Sequence, residues 1–268
     1  MMKLGILGAS GRMGQAVIHS AARLNATVTA AVVSDQSGRY GEPIHPNAAE
    51  AGVRFQHAGE IQPKQTDVLI DFSLPQALES NIALAQRLQV PLVVCTTGLS
   101  AQQHELLAQA GQSMPVLYAA NTSVGITLLR QLVQLTAAAL PDTDIEIFEA
   151  HHSAKRDAPS GTAVVLGESA AAGRGKSLSE LSAGVRGDGL RETGSIGFSV
   201  MRAADIIGEH TVLFAHAGER IELTHRVSNR QIFAHGAVQA AQWLKQQPSG
   251  LYSMADMLQL KTLLKQLI

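Results

Sequence analysis

The chain has 268 residues, 46% of them hydrophobic, with 21 Lys and Arg against 22 Asp and Glu for a net charge of −1. That length and apolar content suffice for a sizeable core in one large domain or two smaller ones. The charge balance excludes a global positive field that would recruit nucleic acid or an anionic membrane, so any attraction for anions must be local.

Up to Tyr118, short apolar strands alternate with helical patterns. Strands are expected at Lys3–Leu7, Thr27–Val33, Asp67–Asp71, Leu92–Cys95 and Val116–Tyr118, and helices at Met13–Leu24, Pro75–Leu88 and Ala101–Gly111. Ser73 stands where a capping side chain would meet the first turn of the second helix, with Pro75 inside it. From Val124 to Leu140, Ile126, Leu129 and Val133 with Leu128, Leu132 and Leu135 form a wide apolar stripe, ended by Pro141, that is expected to be buried. The pattern then changes to strands at Asp144–Ala150, Ile196–Met201, Thr211–Ala215 and Arg220–Val227, with a helix near Thr162–Ala172. Residues 173–194, rich in Gly and polar types, are expected to be a long mobile loop. Helical periodicity returns at Ile232–Lys245 and Met254–Leu267.

The fold class that follows is α/β, a Rossmann-like parallel-sheet domain plus a smaller α+β domain. Residues 1–123 and 233–268 would form the dinucleotide-binding domain and residues 124–232 the second, with hinges near Thr122–Gly125 and Asn229–Phe233. Cys95, the single cysteine, has no partner for an internal disulfide. The N-terminus lacks a signal-peptide pattern, and no apolar run approaches the roughly 20 residues needed to span a bilayer. A cytoplasmic protein is expected.

Gly8, Gly11 and Gly14 follow the first strand with the spacing G-x-x-G-x-x-G, a departure from the commoner G-x-G-x-x-G. Each glycine can still serve the same end: a tight turn, close approach of backbone to phosphate, and packing of helix on strand. Asp35, about 20 residues on, is the candidate to accept the adenosine ribose hydroxyls. Its charge would favour NAD, whereas Arg12 and Arg39 could meet a 2′-phosphate, so NADH and NADPH both remain open. Two further turns, Cys95-Thr-Thr-Gly98 and Ala119-Ala-Asn-Thr-Ser-Val-Gly125, lie at strand ends where a nicotinamide half would sit. No base is identifiable beside Cys95, which reads as a packing residue rather than a nucleophile.

The densest chemistry lies in Glu149-Ala-His-His-Ser-Ala-Lys-Arg-Asp-Ala-Pro-Ser-Gly-Thr-Ala163. His151 and His152 end a strand, so alternation would send them to opposite faces unless the strand stops there. Lys155 would disfavour imidazole protonation and bind a carboxylate. The amides of Gly161 and Thr162 and the hydroxyls of Ser160 and Thr162 open a helix and suit an anion. Glu149 and Asp157 beside two histidines suggest a metal cluster, but no H-E-x-x-H-type pair is present, and no metal is expected. The segment fits a small dicarboxylate that must also receive a proton.

Together with Gly8-Ala-Ser-Gly-Arg-Met-Gly14, Asp71-Phe-Ser-Leu-Pro75, Thr96-Thr-Gly98, Ala120-Asn-Thr-Ser-Val-Gly125 and Arg202-Ala-Ala-Asp-Ile-Ile-Gly-Glu-His210, that segment resembles the 4-hydroxy-tetrahydrodipicolinate reductase family, also called dihydrodipicolinate reductase, nearly end to end. The resemblance implies a homotetramer, assembled through the central domain, that reduces a dehydrated 4-hydroxy-tetrahydrodipicolinate in lysine and diaminopimelate biosynthesis. It implies catalytic roles for His151 and Lys155 and substrate binding by His152, Gly161 and Thr162. Cofactor contacts would fall on Gly8, Ala9, Ser10, Gly11, Arg12 and Met13, on Cys95, Thr96 and Thr97, and on Ala119, Ala120, Asn121 and Thr122. The chain departs from the family pattern at Cys95, where a glycine is common, and at Thr122, where an aromatic is common. An ungapped match puts Ser34 rather than Asp35 at the acidic ribose position. Two other readings stand beside this one: a different two-domain nicotinamide oxidoreductase, and a nucleotide sensor that consumes no cofactor.

Overall fold

The computed structural model describes residues 1–44, 52–260, 262 and 266. In chain order it begins with β1 (Met2–Leu7), α1 (Arg12–Ala21), β2 (Ala26–Val32), β3 (Phe55–Gln56), β4 (Val68–Asp71), α2 (Leu78–Leu88), β5 (Leu92–Val94), α3 (Ala101–Gly111) and β6 (Pro115–Tyr118). Then come α4 (Val124–Ala139), β7 (Asp144–His151), α5 (Gly161–Gly173), α6 (Leu178–Leu181), β8 (Ser182–Val185), β9 (Ile196–Arg202), β10 (Gly208–His216) and β11 (Glu219–Val227). The chain closes with α7 (Gln231–Leu244), β12 (Gly250–Tyr252) and α8 (Met254–Met257). The part of the expected Met254–Leu267 helix beyond Leu260 lies largely outside the described residues.

Two compact units result: Met1–Ser123 with Gln231–Ile268, and Val124–Arg230. The first holds a seven-stranded sheet in the order β12-β6-β5-β4-β1-β2-β3. Every pairing in it is parallel. Because helices cover a parallel sheet, its strands read as continuous apolar runs, and Leu4, Ile6, Leu69, Ile70, Val93 and Val94 are fully buried. From β1 the chain steps outward through β2 and β3, then restarts at β4 on the other side. That reversal is the point at which open α/β sheets gather ligands, at the carboxyl ends of the strands.

The second unit is a five-stranded mixed sheet in the order β11-β10-β7-β9-β8. β10 is antiparallel to β7 and β11, and β9 is parallel to β7 and β8. α4 and α5 pack together, burying Ile126, Leu129, Val133, Ala163, Leu166 and Ala170 with Ile145, Ile147, Phe198 and Phe214 of the sheet.

Three sequence expectations need correction. The α4 stripe is narrower than expected, because Leu128, Leu132 and Leu135 remain exposed while the face carrying Ile126, Leu129 and Val133 turns inward. Residues 173–194 are not one loop, since they contain α6 and the edge strand β8. β8 is held by backbone pairing to β9, and its side chains are all exposed, so it carries no apolar alternation to announce it. Ser73 caps nothing: Leu74 precedes the 3-10 turn Pro75–Ala77 that leads into α2, and the Ser73 hydroxyl instead accepts from Asn81 Nδ2 at 3.0 Å. The short strands β3 and β12, two and three residues long, are additional to the expected elements.

Candidate active site

In the first unit the turn after β1 meets the turn after β4. Gly8 has φ +72°, and a Cβ there would lie 2.6 Å from the Phe72 carbonyl oxygen. At Gly14 a Cβ would lie 2.5 Å from Gly8 O and 2.6 Å from Ala9 Cα, so α1 packs directly on the turn. Both positions exclude side chains. Gly11 is the N-cap of α1, and no side chain caps that end. The first amides of α1 and its positive dipole end therefore offer themselves to an anion. Beside them lies a cleft of about 400 Å³ lined by Gly11, Arg12, Met13, Cys95, Thr96, Thr97, Ala119, Ala120, Asn121 and Thr122. A dinucleotide fits this donor set: main chain at three strand ends, an uncapped helix start, and glycines where a Cβ would collide.

Three residues missed in the sequence, Phe72, Ser73 and Phe233, also line the cleft. The first two follow β4 at the topological reversal, a signal the strand order would have given. Phe233 belongs to α7 and is brought there by Thr122, whose hydroxyl donates to Phe233 O at 2.7 Å. Beneath the cleft Asp71 is fully buried, and its Oδ1 accepts from Ser73 N at 2.8 Å. Burial raises the Asp71 carboxyl above its ordinary value, against weaker opposition from Ser73, Asn81 and Thr96. The Cys95 thiol is also pushed well up, by burial and then by Asp71. It is held as a neutral packing group.

Asp35 lies past the end of β2 and is exposed, 3.2 Å from His57 Nδ1. Tyr40 stacks on that imidazole with ring centroids 4.2 Å apart. Arg39 pairs with Glu42 at 3.0 Å and lies over the Phe55 ring. Arg12 lines the cleft instead, so the two arginines considered for a 2′-phosphate occupy different surroundings.

In the second unit β7 ends at His151, and His152 begins the following turn, so simple strand alternation does not govern the pair. Below them Glu149 is fully buried. Its Oε2 accepts from His151 Nδ1 at 2.7 Å and from Arg202 Nη1 at 2.8 Å. Oε1 accepts from Arg202 Nη2 at 2.8 Å and from Ser160 N at 2.9 Å. One carboxylate thus joins the ends of β7 and β9 to the start of α5. Burial pushes the Glu149 carboxyl up, but Arg202, His151 and the Ser160 amide outweigh it and the net shift is downward. For His151 burial lowers the basicity first, Glu149 opposes it, and Lys155 and Arg202 add to the lowering. The effect expected of Lys155 is therefore real but secondary to desolvation.

Lys155 Nζ donates to Asp157 Oδ1 and Oδ2 at 2.7 and 2.8 Å. Ser160 is the N-cap of α5, and its hydroxyl accepts from Ala163 N at 3.2 Å. The same oxygen is 3.0 Å from His210 Nε2 and is buried. The Ser160 hydroxyl expected to meet an anion is thus occupied by structural bonds, and Gly161 and Thr162 follow it in the first turn of the helix. Glu149, Arg202 and His210 acquire their importance only through the sheet, which aligns Glu149 with His210 and His151 with Arg202. Among the described residues no group of three or more His, Cys, Asp or Glu is placed to hold a metal ion.

A Rossmann-like unit carrying a dinucleotide cleft, joined in one chain to a unit with a buffered imidazole beside cationic donors, defines a nicotinamide-dependent oxidoreductase. Residues 2–122 match the family model of the dihydrodipicolinate reductase N-terminus and residues 125–258 that of its C-terminus. The chain belongs to the dihydrodipicolinate reductase family. It is 47% identical over 264 residues to a 4-hydroxy-tetrahydrodipicolinate reductase of Pseudoalteromonas atlantica, covering 96% of this chain and 99% of the relative. A reductase of the same name from Pseudomonas fluorescens is 42% identical over 269 residues, covering 97% and 100%. A dipicolinate-bound dihydrodipicolinate reductase from Paenisporosarcina sp. TG-14 shares the fold with a TM-score of 0.75 at 23% identity, over 94% of this chain and 97% of that one. Among the described residues no helix is long and apolar enough to cross a membrane.

Proposed function

We propose that this chain reduces the dehydrated form of 4-hydroxy-tetrahydrodipicolinate to tetrahydrodipicolinate, using NADH or NADPH, in lysine and diaminopimelate biosynthesis. The observation that carries the reading is the His151 imidazole, held at Nδ1 by a buried carboxylate and adjoining Lys155 and the start of α5 in sequence. When bound, a reduced nicotinamide would supply a hydride to C4 of the unsaturated ring. Gly8, Ala9, Ser10, Gly11, Arg12 and Met13 would hold the pyrophosphate. Cys95, Thr96, Thr97, Ala119, Ala120, Asn121 and Thr122 would line the nicotinamide half, and Asp35 would meet the adenosine ribose.

The carbon next to C4 gains electron density and needs a proton, which His151 delivers from Nε2, directly or through water. His152, Lys155 and the amides of Gly161 and Thr162 grip the carboxylates and withdraw charge. Asp157, an exposed carboxylate, is the group the substrate displaces from Lys155. The Gly161 and Thr162 amides are preset at the start of α5 and stabilise developing charge without reorganising first, whereas Lys155 does so once it has left Asp157. The working form is a cytoplasmic homotetramer assembled through the second unit. Loss of reduced-nicotinamide absorbance with freshly generated substrate, measured with each cofactor, tests the reading. Nucleotide binding without oxidation of either cofactor would point instead to a sensor, and turnover of an unrelated amino acid or sugar to another oxidoreductase.

A further inference from the structure

We propose that Glu149 is the positioning residue of the proton donor, holding the His151 ring so that Nδ1 always carries a hydrogen and Nε2 alone exchanges a proton with substrate. This rests on the role given to His151 above and assigns a further residue to that reaction.

The geometry carries it. Glu149 is fully buried and receives four hydrogen bonds, from His151 Nδ1, Ser160 N and both terminal nitrogens of Arg202. A carboxylate so supplied is an acceptor only, so the imidazole nitrogen 2.7 Å away must be the donor. The neutral ring is thereby fixed with its lone pair on Nε2, and the cationic ring with a transferable proton there. Arg202 is tied down in turn, since its Nη2 also donates to Asp157 O at 2.6 Å. The opposite edge of the ring is set by Gly208, where a Cβ would lie 3.1 Å from Nε2. A side chain at that position would crowd the reactive nitrogen.

Of the charged groups facing the ring, Lys155 and Arg202 oppose a positive charge on it. Arg202 approaches from β9 and Lys155 from the turn after β7. His210 on β10 meets the ring edge-on, with centroids 5.1 Å apart. His225 on β11 and Asp157 lie one step further out. Glu149 is the negative partner in direct contact, and it counters the burial and the two cations that make His151 slower to take up the proton it must give.

The test is the pH profile of kcat/KM for Glu149→Gln beside Glu149→Asp, with circular dichroism to establish folding. His151 must be protonated to act, so loss of the charge should move the basic limb about one pH unit or more towards acid, with KM for the nucleotide unchanged. Glu149→Asp should restore the limb towards the parent position even at reduced kcat. A folded Glu149→Gln protein whose basic limb stays in place overturns the proposal. Because the Gln variant leaves Arg202 unpaired, the parent protein is also examined by ¹⁵N imidazole NMR, with His151 assigned from His151→Gln. A neutral ring protonated at Nδ1 supports the proposal, and one protonated at Nε2 overturns it. The NMR result stands whether or not the reaction is the one proposed, while undiminished turnover in His151→Gln would remove the proton role itself and leave the tautomer result intact.

Discussion

Asp71 in the first unit and Glu149 in the second are both fully buried carboxylates at strand ends, yet burial has opposite outcomes for them. Asp71 has only neutral partners, a Ser73 amide among them, and desolvation wins: its carboxyl titrates above the ordinary value. Glu149 meets a guanidinium through two hydrogen bonds, an imidazole and an amide, and desolvation loses. A buried acid thus either has its charge disfavoured, under a backbone-built cleft, or favoured, under a side-chain-built site. What decides is whether the fold brings a cation to it.

The largest expected effect exploits the second site. His151→Gln or Lys155→Ala should lower turnover by about 100-fold to 1,000-fold, the usual loss for one preset donor. Nucleotide affinity, held by the other unit, should be almost unchanged. Stopped-flow turnover with titration of cofactor fluorescence checks both, and full turnover in either purified variant would refute the assigned role. Next comes removal of the cation that separates the two acids. Arg202→Leu strands the Glu149 charge, and breaking a buried pair costs about 3–5 kcal/mol. Because Arg202 keeps some solvent contact, the low end, about 3 kcal/mol, is expected in urea unfolding. A loss below about 1 kcal/mol would mean that Glu149 is not held by Arg202.

A third expectation concerns His210, which burial, followed by the nearby His151 charge, depresses to about 3. Between its ordinary value and that one, the unfolded chain takes up a proton that the folded chain refuses. Stability is therefore lost as pH falls, by about 1.4 kcal/mol per pH unit for this group. Over pH 6.5 to 5, His210→Gln should flatten the fall in unfolding free energy by up to about 2 kcal/mol. An unchanged slope would show that His210 is protonated in the folded protein.

The two sites also differ in how far they could be read from residues alone. The cofactor cleft is built from regularly spaced glycines and small residues at strand ends, so local spacing exposes Gly8, Gly14, Thr96 and Asn121. Phe72 and Phe233 need the strand order and the return of α7 as well. Around His151 the local segment names His152 and Lys155 in the turn after β7 and Gly161 at the start of α5, all within eleven residues of one another. Arg202 and His210 are 53 and 61 residues beyond Glu149 and reach it only through β-sheet register. Ser160 shows the opposite failure: its hydroxyl suits an anion in sequence, but the fold spends it on Ala163 and His210. β8 stayed hidden for a related reason, since an edge strand held by backbone bonds with exposed side chains has no period-two signal.

The smallest expected effect returns to Asp71. A carboxyl whose folded pKa is raised binds its proton more tightly in the native state, so native stability falls as pH rises from the ordinary value through the raised one. Asn at position 71 keeps an oxygen for the Ser73 amide while removing the charge that burial penalises. Asp71→Asn should therefore be more stable than the parent at pH 7, by a margin of about 1.4 kcal/mol per unit of upward shift, and the margin should close near pH 4. Glu149→Gln should behave in the opposite sense, since a depressed carboxyl contributes stability above its unfolded value that is lost as pH falls through the folded one. Urea unfolding of both variants at pH 4 and pH 7 makes the comparison. If Asp71→Asn loses stability at pH 7 as Glu149→Gln does, Asp71 has a cationic partner in solution, and the contrast between the two buried acids is gone.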